Sequence, residues 1–168
     1  RVKLFEIGDY VVHGNNGVCK VDAVQEMDMG KSTRTYYTLV PLYAPGSKLF
    51  VPADSTKVVT RAVMTKQEAA KLMDEWEEME TLQVENDKNR EDIYKAALRS
   101  CDTRKWVQLI KTSYLRSQDR LKKGKKITTS DERYLHMAED NLFGELAIPF
   151  EMTKGEAEAY FISKVSMV

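Results

Sequence analysis

The chain has 168 residues with 26 basic and 26 acidic side chains, 42% hydrophobic and 31% charged, a balance expected of a soluble globular protein of one ordinary or two small domains. No apolar run approaches the roughly 18 residues of a membrane span, and the opening RVKLFEIGDY lacks the apolar core and cleavage site of a secretory signal. A cytoplasmic protein with no membrane partner is therefore expected.

Residues 1–62 read as strands. Val11 and Val12 precede HGNNG (His13–Gly17), a loop rich in residues that tolerate positive φ, and VCKVDAV (Val18–Val24) then alternates apolar with polar. MGKST (Met29–Thr33) separates that strand from YYTLVPL (Tyr36–Leu42), and APGS (Ala44–Ser47) separates this one from KLFVP, where Pro52 ends the ladder. Four or five short strands are too few for a sandwich, so the expected economy is closure into a small SH3-like β-barrel. Its candidate edge is Lys48–Val51, which either pairs with a strand of another chain or is blunted by Lys48 and Pro52.

From residue 63 to 168 the periodicity is helical, giving an α+β chain with an all-α second domain. Thr65 and Glu68 form a capping box ahead of an apolar face of Ala69, Leu72, Met73, Trp76 and Met79, opposite acidic Glu75, Glu77, Glu78 and Glu80. Asp87 is expected to cap a helix carrying Ile93, Tyr94, Ala97 and Leu98 inward, and Asp102 the next, whose buried arc is Trp106, Val107, Ile110, Tyr114, Ser117 and Leu121. Gly124 ends it. Thr129 with Glu132 and Thr153 with Glu156 are expected to open two more helices, for about five in a bundle.

Charge is segregated along the chain. Tyr94–Ser130 holds Lys95, Arg99, Arg104, Lys105, Lys111, Arg116, Arg120, Lys122, Lys123, Lys125 and Lys126 against only Asp102 and Asp119, and acidic segments flank it. Such a run is the footprint of a polyanion partner or, more blandly, a solvated helix face. Catalytic motifs are missing: no phosphate loop, GxSxG, HExxH or Cys/His cluster appears, and neither Cys19 nor Cys101 has a second Cys or a His at ligand spacing, His13 and His136 included. Neither an enzyme nor a metal or cofactor is expected.

FEIGDYVVHGNNGVCKVDAV, YYTLVPL and KLFVP resemble the N-terminal module of the bacterial CarD/CdnL transcription regulators, shared with transcription-repair coupling factors. YKAAL (Tyr94–Leu98), LRSQDR (Leu115–Arg120) and ITTSDERYLHMAEDNLFGELA (Ile127–Ala147) are similar to the helical part. The resemblance implies a monomeric, non-enzymatic regulator. Its barrel would be Tudor-like and would extend a sheet of the RNA polymerase β subunit by strand pairing through Lys48, Leu49, Phe50 and Val51, with Met27 beside them. Its helical domain would contact the backbone and minor groove of promoter double-stranded DNA and stabilise the open complex.

Lys95 and Arg116 match basic positions used on DNA in the family. The remaining DNA-binding candidates are Arg90, Arg104, Lys105, Lys111, Arg120, Lys122, Lys123, Lys125 and Lys126. Where relatives carry a wedge Trp this chain has Arg90, a cation suited to a narrow groove, and relatives' polymerase-contacting Arg positions are Met27 and Phe50 here. An alternative role is a protein-only polymerase adaptor without productive DNA engagement.

Overall fold

The structure, a computed structural model, describes residues 4–165. The chain divides into two compact units, Arg1–Val63 and Met64–Val168.

The first unit is one antiparallel sheet of β1 (Tyr10–His13), β2 (Val18–Asp28), β3 (Thr33–Pro41), β4 (Leu49–Pro52) and β5 (Thr60–Ala62), in the order β4-β3-β2-β1-β5. Alternation builds the core, because the inward positions Val11, Cys19, Val21, Tyr37, Leu39 and Val51 form one buried cluster. A register shift between Val21 and Ala23 interrupts the β2–β3 ladder. Beyond it the hairpin runs out past the core, and Gln25–Asp28 are exposed.

Gly14 anchors the other side. Its φ is +48°, and a Cβ there would stand 2.6 Å from Val58 Cγ1, while its N–H donates to the Val59 carbonyl at 2.9 Å. Only glycine fits both the backbone and the space.

The expected closure into a barrel is not observed. β4 pairs only with β3 and β5 only with β1, so the sheet is open with two edges among the described residues. The inward cluster is covered without closure, and two strands of four and three residues offer little ladder with which to close it.

His13 is buried, 6% exposed, with Nδ1 2.6 Å from Thr60 Oγ1 across the β1–β5 pair. Burial holds its pKa below the ordinary value near 6.5. The unfolded chain therefore takes up a proton that the folded unit resists. The stability of the first unit is fully present above pH 6.5 and falls as pH drops from there toward the folded pKa. Thermal melts followed through β1 and β5 amide resonances should show a lower midpoint at pH 5 than at pH 7.5, and His13→Asn should flatten that difference.

The second unit holds α1 (Lys66–Asp74), α2 (Arg90–Arg99), α3 (Thr103–Lys122), α4 (Thr129–Leu146) and α5 (Lys154–Val165). The Thr65/Glu68 capping box forms at α1, Asp102 caps α3, and Thr153 and Glu156 exchange hydrogen bonds ahead of α5. Gly124, at φ +73°, ends α3 in a Schellman arrangement in which Gly124 N–H donates to Leu121 and Lys125 N–H to Arg120.

Aromatic edges join the helices: Trp76 meets Phe161 at 5.7 Å and 89°, and Phe143 meets Phe161 at 5.5 Å. Glu145, within the GELA stretch, is fully buried and accepts the Met64 N–H at 2.8 Å, tying the start of the unit to α4.

Three expectations are corrected. The N-cap of α4 is Thr128 with Asp131, one residue before Thr129 and Glu132, since that frame turns Asp131 inward to bonding partners. Asp87 does not cap; a 3-10 turn over Asp87–Asn89 capped by Asn86 precedes α2, which leaves the Asp87 carboxylate free to meet arginines. Leu121 is 51% exposed, because the last turn of α3 runs past its neighbours while small Thr112, Ser113 and Ser117 take the buried arc.

Candidate functional site

The open edge at β4 can be built atom by atom from the register. Ala53 N–H donates to the Thr35 carbonyl at 2.9 Å, which sets the alternation of an antiparallel ladder. Val51/Tyr37 and Leu49/Leu39 are then the hydrogen-bonded pairs, and Phe50/Thr38 and Pro52/Tyr36 the non-bonded ones. The N–H and C=O of Phe50 thus point away from β3 into the open edge. Pro52, also outward, has no N–H to offer.

Side chains follow the same alternation. Leu49 and Val51 turn to the core, whereas Phe50 is 53% exposed and stacks on Tyr36 with ring centroids 4.8 Å apart and planes at 6°. The Arg34 guanidinium lies 5.7 Å from the Tyr36 ring and pairs with Asp54 at 3.1 Å. Met27, itself exposed, sits cross-strand from Arg34.

One sheet face therefore presents Phe50, Tyr36, Arg34 and Met27 in a row beside an unpaired backbone edge. Lys48 lies just outside β4, 4.0 Å from Asp22. Tyr36 and Arg34 were not among the sequence candidates; only cross-strand register brings them to Phe50.

The basic stretch of the helical unit splits into two populations. In the first half of α3, Arg104 pairs with Glu75, and Lys111 Nζ donates to the carbonyls of Trp76, Glu77 and Met79 at 2.8, 3.1 and 2.8 Å. These cations close the turn that follows α1. Lys105 is exposed beside them.

The second population gathers where α2 begins, α3 ends and α4 begins. Arg120 Nε donates to the Lys126 carbonyl at 2.8 Å, Lys123 pairs with Asp119 at 3.0 Å, and Lys122, Lys125 and Lys126 are exposed without an ion pair among the described residues. Lys95 faces Glu91 at 4.0 Å.

Arg90 and Arg116 belong to a closed ring. Asp131, 0% exposed, accepts Tyr94 Oη at 2.9 Å, Thr128 Oγ1 at 2.7 Å and Arg116 Nε at 3.0 Å. Arg116 Nη1 reaches Asp87 at 3.5 Å, and Asp87 accepts Arg90 Nη2 at 2.9 Å. Arg90 Nη1 donates to Tyr94 Oη at 3.2 Å, which completes the circuit. Burial pushes the Tyr94 phenol up, keeping it a neutral donor to Asp131. Both arginine side chains are mostly covered, 19% and 22% exposed.

Nothing in the charge run signalled this ring. It depends on Asp87 and Asp131, far apart in sequence and outside the basic stretch.

Among the described residues no helix is long and apolar enough to cross a membrane, and no three His, Cys, Asp or Glu converge as a metal site. Residues 5–63 match the family model of the CarD-like/TRCF RID domain. No curated protein matches the chain.

Proposed function

From the premise that residues 5–63 are a CarD-like/TRCF RID domain, we propose that the chain is a non-enzymatic, monomeric bacterial transcription regulator of the cytoplasm. Its first unit binds the RNA polymerase β subunit. The observation that carries the reading is the open β4 edge of that domain, with the outward N–H and C=O of Phe50 framed by the Phe50–Tyr36 stack. An incoming strand gains main-chain hydrogen bonds there, and the neighbouring aromatic and Met27 contacts set its register.

In this reading the helical unit contacts promoter DNA through the cluster at the end of α3, and so stabilises the open complex. Lys122, Lys123, Lys125 and Lys126 are exposed together on one turn, and cations so placed release counterions from phosphates. Replacing the four by alanine should make the slope of log affinity against log salt shallower by up to about 3.6 for a promoter duplex. Arg104→Ala, which removes a cation already engaged with Glu75, should leave the slope nearly unchanged. Equal effects of the two variants would mean that the turn is not the contact.

A protein-only adaptor remains the second reading, favoured by one observation. Arg90, standing where relatives carry a wedge, folds back onto Asp87 and Tyr94 and projects no aromatic side chain. Open-complex lifetime on one promoter separates the two: a lifetime that the chain extends and the four-lysine variant does not supports the regulator, and polymerase binding with no change in lifetime supports the adaptor.

A further inference from the structure

Asp87 holds a position that an anion from outside could hold. Its side chain is 78% exposed, yet a single oxygen, Oδ1, lies 2.9 Å from Arg90 Nη2 and 3.5 Å from Arg116 Nη1. The two guanidinium groups are fixed from behind by other acceptors, Arg90 by Tyr94 Oη at 3.2 Å and Arg116 by the buried Asp131 at 3.0 Å. Neither of these holds runs through Asp87.

The Arg90 hydrogen bond, and after it the positive charges of Arg90, Arg116 and Arg120, hold the Asp87 carboxyl below its usual range. Arg120 is tied through Lys126 to the exposed lysine turn, so the point belongs to the same basic end of the bundle.

We propose that Arg90 and Arg116 form a phosphate site which Asp87 occupies as an internal mimic, so that a DNA phosphate binds there only by displacing the carboxylate. The proposal rests on the reading of the helical unit as a DNA-binding surface. It adds a self-occupied site that weakens binding by about one phosphate contact. The geometry suits the exchange: one nitrogen from each of two arginines approaches one oxygen, and the carboxylate sits on an exposed 3-10 turn that rotation about its own side-chain bond can clear.

The test is binding of a short duplex by the full chain across a salt series, for the unaltered protein, Asp87→Asn, Asp87→Ser and Asp92→Asn. Asp92 is exposed in the first turn of α2, just after the turn that carries Asp87, and has no ion pair among the described residues, so it reports the bulk effect of losing one negative charge. The Asp87 variants should bind about five- to tenfold more tightly near 0.1 M salt with a slope steeper by about one, and Asp92→Asn should change affinity by less than about twofold.

Asp87 variants that stay folded and bind no more tightly than Asp92→Asn would overturn the proposal while leaving the DNA reading intact. If no form binds the duplex at all, the DNA reading fails and the proposal with it. Asn keeps an acceptor for both arginines, and Ser is the second variant should Asn perturb the fold.

Discussion

Phe50→Pro is expected to weaken association with RNA polymerase well beyond Phe50→Ala while leaving the first unit folded. The register directs the Phe50 N–H outward, so proline there removes no bond to β3, and Leu49 before it is already extended, as the residue preceding a proline must be. An arriving strand would meet a missing donor and the proline ring. An acceptor left unsatisfied in a buried interface costs about 1–3 kcal/mol, and the steric block adds to this, so affinity should fall at least about tenfold below that of Phe50→Ala.

The alanine variant is the necessary comparison, because it also loses the stack on Tyr36 but keeps the donor. Val51→Pro supplies the opposite control, since Val51 N–H faces β3 and its loss should unfold the edge itself. Immobilised polymerase with each variant is the measurement. Equal binding by Phe50→Pro and Phe50→Ala would exclude pairing along β4.

Asp131→Ala is expected to destabilise the helical unit by about 3 kcal/mol. Removing one partner of a buried ion pair typically costs 3–5 kcal/mol because the other charge is left behind. Asp131 is fully buried, and its loss strands the Tyr94 hydroxyl, the Thr128 hydroxyl and Arg116 Nε together. Arg116 is 22% exposed, so water can recover part of its solvation, which sets the lower end of that range.

Both tryptophans of the chain, Trp76 and Trp106, lie in the helical unit. Denaturant unfolding followed by tryptophan fluorescence therefore reads this unit separately from the first. A loss under about 1 kcal/mol would mean that the ring contributes little to holding α2, α3 and α4. Asp131→Asn, which keeps acceptor geometry but drops the charge, should fall between the variant and the native chain.

Much of the architecture was legible in local pattern. Thr65 with Glu68 and Thr153 with Glu156 are capping boxes within four consecutive residues, and Gly124 stops α3 because only the next residues decide the backbone there. The edge at Leu49–Pro52 was readable from Pro52, since a proline in a short strand rarely lies in a sheet interior. At two helix starts the expectation missed where candidates stood side by side, Thr128 with Thr129 and Asn86 with Asp87. Local preference is nearly equal at such places, and at α4 the choice was made by the inward bonds of Asp131.

By itself the sequence determined two units of different periodicity, a short strand ending in proline, and an excess of cations from Tyr94 to Ser130. Those properties depend on residues near one another in the chain. Only the tertiary structure decided that the sheet stays open, that Phe50 stands on Tyr36 at its edge, and that the cations divide between those closing the turn after α1 and those gathered near Asp87. The physical reason is that a charge or ring is defined by its neighbours in space. Asp131 and Asp87, both well separated in sequence from Arg116, set what that arginine can still bind.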